Sequence, residues 1–88
     1  MATPTKFTPI ISFHPGETLH DKLEELGVNL KAFALSIGKP EKTIIAVTQG
    51  QSSITPEMAI LFENALQIPA HFWLNSQRSY DEYKARLS

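Results

Sequence analysis

The stretch from Asn29 to Gly50 reads NLKAFALSIGKPEKTIIAVTQG and decides the fold. Leu30, Phe33, Ala34 and Ile37 recur at spacings of three and four, the apolar stripe of a helix. Asn29 stands where an N-cap is wanted and Gly38 where a helix stops. Lys39-Pro40-Glu41 opens a second helix with proline in its first turn. Ile44 and Val47 are its inward pair, and Gly50 ends it. Two short amphipathic helices joined by a glycine turn make a helix-turn-helix, predicted here over about residues 29–50.

The same punctuation runs outward. His14-Pro15-Gly16-Glu17 opens a preceding helix, with His14 as its entry residue, Leu19, Leu23 and Leu26 as one stripe, and Gly27 as the stop. Thr55-Pro56-Glu57 opens a fourth helix with Ala59, Phe62, Ala65 and Leu66 facing in. Pro69 marks a fifth, carrying Phe72, Trp73, Gln77 and Tyr80, with Phe72 and Trp73 expected to pack on the fourth. Strand signals are nearly absent, so the class is all-α with five helices. Residues 1–13, with Pro4 and Pro9, read as a flexible leader and 14–88 as the domain. Ile10 to Phe13 reads equally as a short extended segment or as apolar residues tucked against the first helix.

Composition narrows the function classes. Eighty-eight residues make one small domain, and 42% hydrophobic with 19% charged residues makes it globular. The absence of cysteine excludes disulfides, Cys-ligated zinc and thiol nucleophiles. No apolar run approaches the ~18 residues of a membrane span and no signal peptide is evident, so a cytoplasmic protein without membrane attachment is expected. The net charge is -1, but it is unevenly spread. Between Asn29 and Thr55, Lys31, Lys39 and Lys42 face a single acid, Glu41, inside an otherwise acidic frame.

A helix clamped by its predecessor and protruding by its outer flank fits the DNA major groove. The candidate base contacts are Glu41, Lys42, Thr43 and Ile45, set against a plain solvated helix face. Lys31, Lys39, Gln49, Gln51 and Ser52 are the candidate phosphate contacts, set against ordinary solubility and loop polarity. Leu74, Tyr80, Tyr83 and Leu87 suit a dimer contact as well as they suit intramolecular packing. Glu17, Asp21 and Glu24 line the first helix as a solvated acidic face or a contact for a basic partner. His14, His20 and His71 lack metal-ligand spacing, and no metal or other cofactor is expected. Nucleophile and phosphate-loop signatures are missing, so the chain is not expected to be an enzyme.

His14-Pro15-Gly16-Glu17, Leu23-Glu24-Glu25-Leu26-Gly27, Ile54-Thr55-Pro56-Glu57-Met58-Ala59 and Phe72-Trp73-Leu74-Asn75 followed by Gln77 and Tyr80-Asp81 resemble the HigA-type antitoxins. These are a branch of the lambda-repressor-like helix-turn-helix proteins, the XRE group. The resemblance runs from about His14 to Asp81. It implies a five-helix fold, a homodimer, repression of the protein's own operon through double-stranded operator DNA, and neutralisation of a HigB-like, mRNA-cleaving toxin. The chain departs from the family at Thr43, Gln49, Gln51 and Ser52, which are frequently basic there. Each cation lost removes one released counterion and weakens binding to every DNA sequence. The alternative is a protein-interaction module of the same fold that binds a toxin or regulator with weak DNA affinity. Pro69 stands where the family commonly has a serine or threonine N-cap.

Overall fold

The computed structural model describes residues 12–87. The leader predicted over residues 1–13 therefore lies almost wholly outside the described residues. Phe13, at its end, is exposed. Five helices follow in order: α1 Pro15–Leu26, α2 Leu30–Ile37, α3 Glu41–Thr48, α4 Pro56–Leu66 and α5 Ala70–Leu87. Among the described residues there is no strand.

The helix ends follow the capping chemistry written in the sequence. The Asn29 side chain accepts from the Ala32 N–H at 2.7 Å, and the Thr55 hydroxyl accepts from the Met58 N–H at 3.2 Å. Pro40 differs from expectation: its ψ of 141° is extended, so it precedes α3 as the cap residue and lies outside the first turn. At α5 the Ala70 N–H donates to Glu63 Oε1 at 2.5 Å. A carboxylate from α4 thus supplies the cap that Pro69 lacks.

The core joins all five helices. Trp73, Phe62, Leu19, Ile44 and Val47 are fully buried, with Leu23, Phe33, Ala34, Ile54, Met58, Ala59 and Leu66 around them. Phe62 meets Trp73 edge to face at 5.2 Å and Phe33 at 5.7 Å, which binds α2, α4 and α5 into one cluster. The Trp73 indole N–H donates to the Ile68 carbonyl at 3.2 Å, so its polar edge is satisfied. Three residues expected inside are outside. Leu26 is 51% exposed, because α1 runs past the core before Gly27 stops it. Ala65 is exposed, since Met58, Ala59, Phe62 and Leu66 already fill the inner face of α4. Phe72 is 41% exposed: it adjoins Trp73, neighbours on a helix point about 100° apart, and the indole takes the inward direction.

Candidate nucleic-acid interface

The site is built on α3, which packs against both α1 and α2. Ile44 and Val47 are fully buried and set its orientation. Between α2 and α3 the chain turns at Gly38, whose φ of 73° is a left-handed conformation that suits glycine. Two further contacts hold α3 in place. A Cβ added to Gly16 would come within 1.9 Å of the Val47 carbonyl oxygen, so α1 and α3 touch backbone to backbone. The buried His14 ring lies beside Gly50, just past the end of α3.

The opposite flank of α3 is open. Glu41, Lys42 and Gln49 are exposed, and Thr43, Ile45, Ala46 and Thr48 are half-buried. Lys42 and Gln49, two helical turns apart, share one stripe with Ile45 and Ala46 between them, while Glu41 and Thr43 border it. Sequence reasoning passed over Ala46, although its helical spacing from Lys42 and Gln49 carries the signal. The Thr48 hydroxyl is turned back onto the Ile45 carbonyl at 2.8 Å.

The candidate phosphate contacts are less uniform. Lys31 on α2 and Gln51 after α3 are exposed, and Ser52 is half-buried. Lys39 is held: its Nζ lies 3.0 Å from Glu57 Oε1 in the first turn of α4. That carboxylate occupies the lysine where a phosphate would. The loop joining α3 to α4 is also tied to α5. The buried Gln77 accepts from the Ile54 N–H at 2.9 Å and donates to Asp81 Oδ1 at 3.0 Å. Sequence reasoning placed Gln77 on the fifth helix but not this tether, because the two ends are 23 residues apart.

The candidate dimer residues divide. Leu74 packs partly against the core. Tyr80 meets His14 edge on at 5.0 Å, with Lys84 Nζ over its ring at 5.6 Å. Tyr83 is half-buried and Leu87 is 66% exposed at the end of α5. The heptad spacing of Trp73, Tyr80 and Leu87 thus runs from core to solvent along one helix. His20, Asp21 and Glu24 bring their ligand atoms within 4.8 Å of one another. All three are exposed on α1, an ordinary arrangement for neighbours on a solvated helix face.

Residues 19–73 match the helix-turn-helix family model. The chain belongs to that family. The match is of the XRE type. An uncharacterized helix-turn-helix transcriptional regulator of Escherichia coli K12, YddM, is 32% identical over 66 residues, 75% of this chain and 70% of that protein. The crystal structure of an antidote protein of a plasmid maintenance system from Nostoc punctiforme is 37% identical, with a TM-score of 0.84 over 89% of this chain and 86% of that one. The Pseudomonas aeruginosa antitoxin HigA, solved with the higBA promoter, is 32% identical, with a TM-score of 0.78 over 89% of this chain and 83% of that one. Helix-turn-helix antitoxins and regulators of this kind are generally non-enzymatic. Among the described residues, no helix is long and apolar enough to cross a membrane.

Proposed function

We propose that this chain is the antitoxin of a HigBA-like toxin–antitoxin module and represses its own operon by binding operator DNA. The observation that carries this reading is the division of α3. Ile44 and Val47 are sealed in the core, while Lys42 and Gln49 stand in solvent on the opposite flank. Solved structures at 30% identity or more support it: one is of antitoxin HigA with the higBA promoter, and one holds a protein in complex with its operator DNA, both from Pseudomonas aeruginosa.

In this reading two copies place their α3 helices in successive major grooves, about 34–36 Å apart. Lys42, Thr43, Ile45 and Glu41 meet base edges: Lys42 as a donor to guanine, Ile45 against a thymine methyl, Glu41 as an acceptor from cytosine. Lys31, Gln49, Gln51 and Ser52 position the phosphates, while Lys39 stands beside them engaged by Glu57. Tyr83 and Leu87, with flanking contributions from Leu74 and Tyr80, carry the dimer contact. The chain works in the cytoplasm and performs no catalysis, and the HigB-like ribonuclease is its protein partner.

The test is an anisotropy titration with the duplex upstream of the protein's own gene and a scrambled duplex of equal length. Preferential binding is expected, with log affinity falling against log salt by about 0.9 per phosphate contacted. Equal binding to both duplexes overturns specific repression. The sparse charge of the outer flank, Lys42 beside Glu41, favours the second reading of a partner-binding module. Co-purification with the adjacent gene product, combined with no duplex preference, would select it.

A further inference from the structure

Gln77 and Asp81 belong neither to the outer flank of α3 nor to the proposed dimer contact, yet they act on the loop behind α3. Gln77 is buried on α5, one turn before the exposed Asp81. Its side-chain oxygen accepts from the Ile54 N–H at 2.9 Å, and its amide donates to Asp81 Oδ1 at 3.0 Å. Both ends of the carboxamide are therefore paired. An amide is costly to bury without such partners, and a side chain kept there for packing alone would be apolar.

The loop that Gln77 holds, residues 49–54, reads QGQSSI and carries no charge. At its start the Gln51 N–H donates to the Ala46 carbonyl at 2.9 Å, and at its end the Ile54 side chain is buried. Apolar burial has no direction, whereas a hydrogen bond has one. The bond from Ile54 to Gln77 thus orients the rigid peptide plane shared by Ser53 and Ile54.

We infer that Gln77 is a positioning residue for DNA binding: by orienting the peptide between Ser53 and Ile54, it aims Gln51 and Ser52 at the phosphates. The inference rests on the repressor reading above. The neutrality of the loop is what makes its position matter. A lysine is attracted to phosphate over a distance and adjusts on a flexible stem. A neutral amide or hydroxyl contributes only within about 3.2 Å and in good alignment. Neutral contacts also release no counterions. Losing them lowers affinity without changing its dependence on salt.

The experiment measures anisotropy over a range of salt, with the upstream and scrambled duplexes. Gln77→Met keeps the side chain's length and the net charge but removes both hydrogen bonds. It should lose about tenfold in affinity for the upstream duplex, with the scrambled duplex and the salt slope unchanged. A chain that had merely lost stability would lose affinity for both duplexes alike. Gln77→Glu combined with Asp81→Asn also keeps the net charge. It reverses the donor and acceptor of the far bond and keeps an acceptor toward Ile54, so affinity should return to within about twofold of the wild type. Asp81→Ala frees the far end of the carboxamide. Removing an acid strengthens DNA binding by charge alone, so the expected loss of about twofold reports position. Asp81 is exposed, so this variant decides the matter even where Gln77→Met does not fold. Wild-type affinity in either Gln77→Met or Asp81→Ala overturns the inference, as does failure of the exchanged pair to recover it. The amide resonances of Gln51 and Ser52 in the free protein test the tether without DNA. They should shift in Gln77→Met and Asp81→Ala and return in the exchanged pair, and amides that ignore these changes overturn the inference even in a chain that binds no operator. Absence of duplex preference in the wild type strikes the repressor reading instead.

Discussion

The two flanks of α3 make a sharp contrast within eight residues. The inner flank has Ile44 and Val47 without solvent exposure and Gly16 pressed on the Val47 carbonyl. The outer flank has Lys42 and Gln49 in water. Close-packed interiors tolerate little change in volume, whereas isolated surface positions tolerate most substitutions. One helix thus separates the flank that is held from the flank proposed to read DNA. Substitutions on the outer flank can change its chemistry without threatening the fold.

The largest expected effect breaks the inner side of this contrast. Gly16→Ala puts a methyl group into the Val47 backbone, and should cost about 3 kcal/mol of stability by denaturant unfolding. An unchanged midpoint would mean that α1 and α3 slide freely past each other. Next comes the outer side. Lys42→Ala with Thr43→Ala should change stability by less than about 0.5 kcal/mol. The same pair should lose roughly 1–3 kcal/mol of preference for the upstream duplex over a scrambled one. A large fall in stability would show that the outer flank also holds the fold.

A smaller effect is expected at Lys39, the one candidate phosphate contact that an acid already engages. Surface ion pairs contribute only about 0–1 kcal/mol, so Glu57→Gln should barely alter unfolding. It should release Lys39 to phosphate, tighten DNA binding about twofold and steepen the salt slope by about 0.9. An unchanged slope would remove Lys39 from the contact surface. The smallest effect concerns pH. Burial lowers the His14 proton affinity in the folded chain, so the unfolded chain takes up more protons below its ordinary value of 6.5. The contribution to stability is complete above that pH and declines as pH falls toward the lowered folded value. Melting curves from pH 7.5 to 5.5 should show that decline in the wild type and less of it in His14→Asn.

Much of the architecture was legible. Asn29, Gly38, Thr55 and Gly27 bound the helices as their capping chemistry dictates, because caps act within a few residues of chain. Apolar spacing found Leu19, Leu23, Phe33, Ala34, Ile44, Val47 and Phe62 for a similar reason: helical periodicity is local. Leu26, Ala65 and Phe72 misled, since each lies on an apolar stripe that extends beyond the helix surface actually covered. The outer flank was legible as a flank, but the holding of Lys39 by Glu57 was not, with eighteen residues between them.

Local chemistry along the chain thus settled five helices, the stops of the first three, and which side of α3 faces inward. The folded packing alone decided that Gly16 is a contact, that Gln77 is a buried tether, and that His14 joins three parts of the molecule. Periodicity and capping depend on neighbours within one or two turns. A hydrogen bond between Ile54 and Gln77, or a contact between α1 and α3 too close to admit a methyl group, exists only once distant segments have been brought together.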